Sequence, residues 1–337
     1  MFYNQDYVDK YMYALFYELD LLPKETIKTI YIGGGTPLAL DIKSLKQLLE
    51  KLKSLYKLDD LDEFSVETTI SAIDEEKIRL LKKYHVNRIS IGIQTFKKLP
   101  YLNRYDEYKM VKEKTDLLKS MGFNNINFDL IYGWPSLNLK DFKEDIECIL
   151  SLDPAHVSLY PLAIEDNTIL SYKKIKPIED DEYAKFYEEG INLLQDVGIY
   201  RYEISNFSKP GFESKHNLSY WKSYDYLAAG LGATSFYNSH RIKRTLSLKK
   251  YLSHDFIDID EKEELKELKN DFLMLNLRLV NGFKLDDYYE RFKEDFLKEY
   301  KKEINDTKEF LEIDKTSVKI KPSKLYILDS ILVDLLK

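Results

Sequence analysis

Six short runs of β-forming residues alternate with helical patterns, and this alternation constrains the fold more than any other feature of the sequence. The runs are Thr29 to Ile32, Glu63 to Thr68, Arg88 to Ile93, Asn125 to Ile131, His156 to Leu162 and Tyr200 to Ile204. The segments between them carry apolar residues at the three- and four-residue spacing of an amphipathic helix. Strands joined by single helices pair in parallel with right-handed crossovers, so we predict an α/β fold built on a wound sheet or barrel.

A mostly helical pattern replaces this alternation from about residue 246 onward. Apolar side chains recur at helical spacing around Phe272 and again around Tyr288. A short β-like run, Ser317 to Ile320, then precedes a last helical stretch from Leu325 to Leu336. We therefore predict a second, smaller domain that is helical and winged-helix-like.

Composition narrows the class of protein. The chain has 337 residues, of which 44% are hydrophobic and 32% charged, and its formal net charge is -7. No apolar stretch approaches the ~20 residues that a membrane-spanning helix needs. Basic residues are interspersed with acidic ones, which argues against general nucleic-acid binding. The single cysteine, Cys148, excludes an internal disulfide framework, and the start lacks a signal-peptide pattern. We predict a cytosolic protein.

The first β-like run opens directly into Gly33-Gly34-Gly35-Thr36-Pro37. Glycine allows backbone N–H groups to approach a polar ligand closely, because no Cβ shields them and positive φ angles are accessible. The same triplet is also typical of an ordinary turn at the end of a strand. Alone, this motif leaves both interpretations open.

Unusual polar residues recur at the carboxyl ends of the predicted strands, where parallel α/β folds gather their ligand-binding groups. Besides the glycine run, they are Glu67, Gln94, Asp129 and Tyr160. Each of them alone could cap a turn or serve as a buried structural group. Together around one barrel mouth, amides, carboxylates and backbone N–H groups suit a ligand with ribose hydroxyls, an ammonium and a carboxylate.

A second group of chemically distinctive residues is His216-Asn217-Leu218-Ser219-Tyr220-Trp221. A histidine five residues before a tryptophan could supply one axial nitrogen and an aromatic wall, which a planar metalloporphyrin requires. The alternative is a histidine that is hydrogen-bonded into a loop, with the two aromatic side chains packed in the core. The residues themselves favour this second interpretation.

In order along nearly the whole chain, the motifs are similar to those of the HemW branch of the radical SAM family, which is related to oxygen-independent coproporphyrinogen III oxidase. They are residues 31–37 (YIGGGTP), 87–96 (NRISIGIQTF), 127–135 (NFDLIYGWP), 202–207 (YEISNF), 216–217 with 220–221 (HN and YW), and 230–233 (GLGA). The resemblance implies a partial (β/α)6 TIM-type barrel that lacks its first strand, in residues 1–240. A helical domain, in residues 241–337, follows it.

The resemblance also implies binding residues. For S-adenosylmethionine (SAM) they are Gly33, Gly34, Gly35, Thr36, Glu67, Gln94, Arg104, Asp129 and Ala163, the last of them on the adenine side. A heme site is implied at His216, Tyr220 and Trp221, with His216 as a ligand of the heme iron, so the functional interpretation of this histidine becomes the preferred one. Members of this branch are heme chaperones or heme-binding homologues. The resemblance therefore implies a protein that accepts heme and passes it to an acceptor hemoprotein, which could itself be membrane-associated.

One feature of the family has no counterpart in this sequence. Family members carry a Cys-x3-Cys-x2-Cys loop on the first barrel strand, and its three thiolates hold a [4Fe-4S] cluster whose fourth iron binds SAM. Cys148, the only cysteine, lies in a predicted helix and cannot replace three thiolates. Either the natural protein has an upstream segment with the strand and the loop, which we favour, or the lineage has lost them. Loss of the strand would leave a sheet edge with unpaired backbone groups.

Three functions remain open from the sequence. The first and preferred one is a heme chaperone. The second is oxidative decarboxylation of coproporphyrinogen III, which requires a reductively cleavable SAM and a second SAM site, and against which the heme signature argues. The third is a cluster-free scaffold that binds SAM or heme without chemistry.

Overall fold

A computed structural model of the protein describes residues 5–102, 105–166 and 168–336. These residues divide into two compact units. The barrel unit comprises residues 28–45 and 58–214, and the helical unit comprises residues 5–27, 46–57 and 215–336 of the described chain. The domain limits 1–240 and 241–337 stay a prediction.

From residue 5 to residue 161 the helices and strands follow one another as the sequence pattern predicts, whereas the short strands between residues 234 and 313 were not predicted. In chain order, the helices are α1 (Gln5–Leu21), α2 (Ile42–Leu55), α3 (Glu75–Lys83), α4 (Tyr108–Ser120), α5 (Leu139–Leu150), α6 (Ile169–Tyr172), α7 (Asp180–Gln195), α8 (Lys215–Trp221), α9 (Leu248–Leu252), α10 (Leu265–Asn276), α11 (Leu285–Phe292), α12 (Phe296–Glu299), α13 (Lys301–Thr307) and α14 (Leu328–Leu335). The strands are β1 (Thr29–Ile32), β2 (Glu63–Thr68), β3 (Arg88–Gln94), β4 (Asn125–Tyr132), β5 (His156–Pro161), β6 (Tyr200–Arg201), β7 (Asn206–Ser208), β8 (Thr234–Tyr237), β9 (His240–Arg244), β10 (Ile257–Lys262), β11 (Phe283–Lys284), β12 (Leu311–Ile313) and β13 (Ser317–Ile320).

The sheet of the barrel unit has the strand order β1-β2-β3-β4-β5-β7-β6. The first five strands pair in parallel, which confirms the predicted parallel arrangement. The predicted strand Tyr200 to Ile204 is wrong in its extent, because β6 ends at Arg201 and β7 pairs antiparallel to β5. The reason is a tight turn at Glu203, whose carboxylate accepts hydrogen bonds from the Ser205 N–H and the Asn206 amide.

Side chains alternate across this sheet, since successive residues of a strand point to opposite faces. One face is apolar and fully buried, with Phe64, Val66, Ile89, Ile91, Ile126, Phe128, Val157 and Leu159 at most 1% exposed. The other face is polar on every parallel strand after β1: it carries Ser65, Ser90, Asn127 and Ser158 together with the ionisable Glu63, Arg88 and His156. Buried polar groups are almost always hydrogen-bonded. A polar ligand can supply such partners on this polar face, whereas the apolar face offers it none.

The helical unit contains two small antiparallel sheets, with strand orders β10-β9-β8 and β11-β13-β12. Its core is aromatic: the Phe272 ring packs edge-on against Phe283 and Tyr288, with ring centroids 5.2 and 5.5 Å apart. The predicted strand Ser317 to Ile320 is β13. Helices combined with a small sheet agree with the predicted helical, winged-helix-like domain.

A buried ion pair stabilises the helical unit. The Glu18 carboxylate on α1 lies 2.8 Å from Arg244 Nε at the end of β9, and the two side chains are 4% and 6% exposed. The same carboxylate accepts hydrogen bonds from the Tyr251 hydroxyl (2.6 Å) and the Gly230 N–H (2.9 Å). Gly230 has a φ of 112°, a conformation that glycine adopts readily. These contacts explain structurally why a glycine begins the GLGA motif.

Among the residues that the structure describes, every helix is too short or too polar to cross a membrane. The cytosolic location stays a prediction.

Candidate functional site

The glycine run after β1 is an exposed loop with two different roles for its glycines. Gly34 has a φ of 85°, and apart from its chain neighbours no described residue has an atom within 4 Å of the Cβ position of Gly34 or of Gly35. At Gly33, by contrast, a Cβ would lie 2.6 Å from the Tyr31 ring and 2.8 Å from the Glu67 carboxyl carbon. Gly33 is therefore required for packing, while the next two glycines expose backbone to a ligand. Thr36 follows, and its carbonyl accepts the Ala39 N–H.

The Glu67 carboxylate at the end of β2 is fixed beside this loop. One oxygen accepts the Tyr31 hydroxyl at 2.6 Å, and the other accepts the Gly34 N–H at 3.0 Å. Burial and the neighbouring carboxylate raise the pKa of Tyr31, so its phenol stays a donor. A carboxylate has about four lone-pair sites, which leaves Glu67 able to accept further hydrogen bonds from an ammonium or from ribose hydroxyls.

Gln94 ends β3 in a left-handed conformation, with a φ of 73°. Such an angle is uncommon for a residue other than glycine and is often found at binding sites. The turn behind it is fixed by Asp145 on α5, whose carboxylate accepts the Thr95 hydroxyl at 2.6 Å and the Phe96 N–H at 3.0 Å. A buried helix carboxylate thus holds the turn that carries Gln94.

Asp145 is expected to make stability fall as the pH rises from about 4 to 6. It is 2% exposed, and burial raises its pKa from 3.8 to about 6. In that window the folded state binds the proton more tightly than the unfolded state, so the free energy of unfolding decreases by about 2–3 kcal/mol. Urea titrations from pH 4 to 7 should show this slope, and Asp145→Asn should remove it.

A matched control is Asp116→Asn on the exposed face of α4, where the carboxylate pairs with Lys112 at 2.7 Å. This variant should keep the wild-type pH profile. An Asp145→Asn profile parallel to that of the wild type would contradict the prediction.

Asp129 lies within β4, opposite Gly92 on β3 and Ser158 on β5. It accepts a hydrogen bond from the Asn127 amide at 2.8 Å and a longer one from Ser90 at 3.4 Å. Burial raises its pKa, which the hydrogen bonds from Ser158 and Asn127 oppose.

The structure brings some predicted SAM residues together and leaves others apart. Glu67 contacts the glycine loop directly, while Gln94 and Asp129 lie on adjacent strands. Ala163 is exposed two residues after β5. Arg104 lies outside the described residues. SAM binding by this set stays a prediction.

The predicted heme residues lie on α8 in the helical unit. His216 Nε2 is 2.8 Å from the Tyr220 hydroxyl, and the two rings meet edge-on with centroids 4.9 Å apart. Burial raises the pKa of Tyr220 to about 12, so its hydroxyl stays protonated. The Trp221 indole Nε1 is buried and has no hydrogen-bond partner among the residues that the structure describes. A buried, unpaired donor is costly, and a ligand that accepts from it would remove that cost.

A small cleft adjoins Tyr220 and is lined by Tyr226, Arg241 and Arg291, among others. Its cavity volume is about 30 Å³, room for one or two water molecules. Ligand pockets for molecules of cofactor size measure about 300–1,000 Å³. A macrocycle therefore does not fit inside this cleft.

The residues of this chain do not fit a [4Fe-4S] cluster. Cluster ligation uses several cysteine thiolates, and the sequence has only Cys148, on α5. Burial raises the pKa of this thiol, which disfavours the thiolate. Across the described ranges, no group of three or more His, Cys, Asp or Glu side chains is placed to hold a metal ion.

Comparisons with known proteins decide the family. Residues 11–149 match the model of the radical SAM superfamily. The heme chaperone HemW of Lactococcus lactis subsp. lactis (strain IL1403) is 34% identical over 308 residues, covering 89% of this chain and 81% of that protein. HemW of Bacillus subtilis (strain 168) is 33% identical over 305 residues, covering 85% and 79%. This chain belongs to the HemW family of radical SAM proteins.

The fold of this HemW-family chain is also found in a solved structure. Coproporphyrinogen III oxidase (HemN) from Escherichia coli, a radical SAM enzyme, aligns with 99% of this chain and 83% of its own, with a TM-score of 0.84 at 18% identity. At that identity the likeness shows the fold alone. It confirms the predicted fold class, a partial barrel with a helical domain.

Sequence reasoning missed several polar residues of this HemW-family chain. A buried hydrogen-bond network ends at Asp129 and consists of Asn127, His156 and Tyr202. A signal was present in the sequence, since β4 and β5 alternate polar and apolar residues although both are interior strands of the sheet. Fully buried parallel strands are usually apolar throughout.

Proposed function

We propose that this protein is a heme chaperone that binds heme at α8 and passes it to an acceptor hemoprotein. The observation that most supports this proposal is the arrangement on α8. His216 and Tyr220 lie one helical turn apart, and the buried N–H of the neighbouring Trp221 has no hydrogen-bond partner in the described part of the chain. The relatives that bear the name heme chaperone HemW add independent support.

Binding of heme iron would change the partner of His216. Its Nε2 faces the Tyr220 hydroxyl at 2.8 Å, so ligation of iron through this atom would replace that hydrogen bond. The ring of Tyr220 packs edge-on against Tyr226, with centroids 4.6 Å apart, and the two give an aromatic surface. Because the cleft beside Tyr220 is too small, the macrocycle would lie outside it.

We propose that the barrel unit binds SAM, with Glu67 and the backbone of Gly34 and Gly35 holding its polar groups. When bound, SAM supplies an ammonium, a carboxylate, ribose hydroxyls and a sulfonium cation. The fixed Glu67 carboxylate and the partly exposed Asp129 offer acceptors for the ammonium and the hydroxyls. No radical step is assigned to residues of this chain, because its single cysteine cannot ligate the cluster.

Oxidative decarboxylation of coproporphyrinogen III has less support. The structural likeness to an enzyme with that activity is at 18% identity and shows the fold alone. The relatives at 33–34% identity are named heme chaperones.

His216→Ala tests the heme site. We expect heme affinity to fall about tenfold or more, because loss of even a supporting partner of a metal ligand typically costs about 10- to 100-fold. Titration of the apoprotein with heme, followed by the Soret band, measures both affinity and iron ligation.

The control is His240→Ala in the same unit, where the imidazole pairs with Asp260 at 2.8 Å and is 40% exposed. This variant should bind heme as the wild type does. Unchanged affinity and an unchanged spectrum in His216→Ala would refute the assignment of His216 as iron ligand.

A further inference from the structure

A buried hydrogen-bond network crosses the polar face of the barrel unit and ends at Asp129. The Asn127 amide donates to Asp129 at 2.8 Å and to Ser90 at 2.7 Å. Its carbonyl oxygen lies 2.6 Å from His156 Nδ1 and also accepts the Ser158 hydroxyl at 3.2 Å. Asn127 and His156 are at most 1% exposed, so water does not compete for these groups.

The network continues beyond the histidine to the motif at residues 202–207. His156 Nε2 lies 2.8 Å from the Tyr202 hydroxyl, and the Ser214 N–H donates to the same hydroxyl at 3.3 Å. Burial raises the pKa of Tyr202, so the phenol keeps its proton. None of these groups has a role in the proposed heme or SAM contacts.

The donor and acceptor roles in this network are fixed from one end to the other. The carboxylate of Asp129 accepts, so the Asn127 amide must turn its NH2 group toward it and its oxygen toward His156. Burial and the charge of Arg88 lower the pKa of His156 well below its usual value, so the ring carries one proton. That proton must be on Nδ1 to reach the amide oxygen, which makes Nε2 the acceptor for the Tyr202 hydroxyl.

We propose that His156 and Tyr202 are positioning residues for Asp129: they hold the Asn127 amide in the orientation that donates to this carboxylate, and so keep it available to a hydroxyl-bearing or cationic ligand. The inference rests on the proposed SAM site. It assigns a role to the tyrosine of the YEISNF motif, although Tyr202 does not contact Asp129.

The other groups that face Asp129 come from four strands. Burial and the charge of Glu67 on β2 raise its pKa, whereas Arg88 on β3 lowers it. Tyr31 on β1 and Tyr160 on β5 also interact with it electrostatically. The hydrogen bonds from Ser158 and Asn127 oppose the effect of burial on this pKa. Loss of the bond from the amide therefore raises the pKa of Asp129 further and favours its neutral form.

Tyr202→Phe removes the hydroxyl that fixes the tautomer of His156. The ring can then carry its proton on Nε2, and the Asn127 amide can rotate and turn its oxygen toward Asp129. We expect SAM affinity to fall about tenfold at pH 7, the effect of losing one hydrogen bond to a charged group. Affinity should recover toward that of the wild type as the pH is raised further, because the carboxyl ionises again.

Calorimetric titration with SAM at several pH values measures this effect. The matched control is Tyr187→Phe, which also removes a buried hydroxyl of the barrel unit, one that donates to the Ile204 carbonyl outside the network. If the Tyr202 hydroxyl only stabilised the local structure, Tyr202→Phe would lower the affinity for SAM equally at every pH. If Tyr202→Phe and Tyr187→Phe show the same SAM affinity and the same pH profile, the inference is wrong. The proposed SAM site is not contradicted by that result.

A second measurement does not depend on SAM. Nitrogen-15 NMR of the labelled protein should show His156 neutral and protonated on Nδ1 between pH 5 and 8, with Tyr202→Phe shifting it toward the Nε2 form. A wild-type His156 protonated on Nε2, or one that titrates near its usual pKa, would overturn the inference regardless of the result of the SAM titration. If the wild type binds no SAM, the proposed SAM site fails, and this role of the network fails with it.

Discussion

Replacing Glu18 with alanine is expected to lower the free energy of unfolding of the helical unit by about 3–5 kcal/mol, the usual cost of breaking a buried ion pair from one side. The variant leaves the Arg244 guanidinium buried without its carboxylate, and it removes the acceptor of the Tyr251 hydroxyl and of the Gly230 N–H. Amide hydrogen exchange is measured at increasing urea concentration for residues of the helical unit. It gives the decrease in the free energy of unfolding for this unit separately.

The control for this prediction is Glu50→Ala in the same unit. Glu50 pairs with Lys46 at 3.6 Å on the surface, where both side chains are about half exposed, and surface pairs contribute little. No measurable change is expected. Combining Glu18→Ala with Arg244→Met should recover part of the loss, because the unpaired charge disappears with its partner. If Glu18→Ala were as mild as Glu50→Ala, the buried pair would not have the stabilising role that its geometry implies.

Glu67→Gln is expected to weaken SAM binding about 10- to 100-fold. Hydrogen bonds to a charged group contribute about 1.5–3 kcal/mol each, and the neutral amide cannot accept from the Tyr31 hydroxyl, the Gly34 N–H and an ammonium together. Calorimetric titration with SAM gives the affinity. A parallel titration with S-adenosylhomocysteine, which has the same ammonium but no sulfonium charge, should show a similar loss.

Glu75→Gln is the matched control in the barrel unit. Glu75 pairs with Arg79 on the surface of α3 and is 56% exposed, so this variant should bind SAM as the wild type does. Equal affinities of Glu67→Gln and wild type would exclude Glu67 from the SAM site, although its contact with the glycine loop would remain.

Much of the barrel unit could be predicted from the sequence, because its determinants are local. The strand Glu63 to Thr68 was predicted with the limits that the structure shows, since β-forming residues there are bounded by polar turns and helices. The parallel order follows from single helices between strands. The meeting of Glu67 with the glycine loop follows in turn, because carboxyl ends of neighbouring parallel strands share one edge of the sheet.

Short-range patterns and ordered motifs are sufficient to predict the α/β class, the parallel strands β1 to β5, the family and the list of candidate residues. Which residues from distant parts of the chain meet depends instead on the folded arrangement. The turn at Glu203 that reverses the chain into β7, the pair of Glu18 with Arg244, and the contact of His156 with Tyr202 all depend on side chains that become buried together. The physical reason is that a buried polar group takes whichever partner the fold brings within hydrogen-bonding distance, and separation along the chain does not indicate that partner.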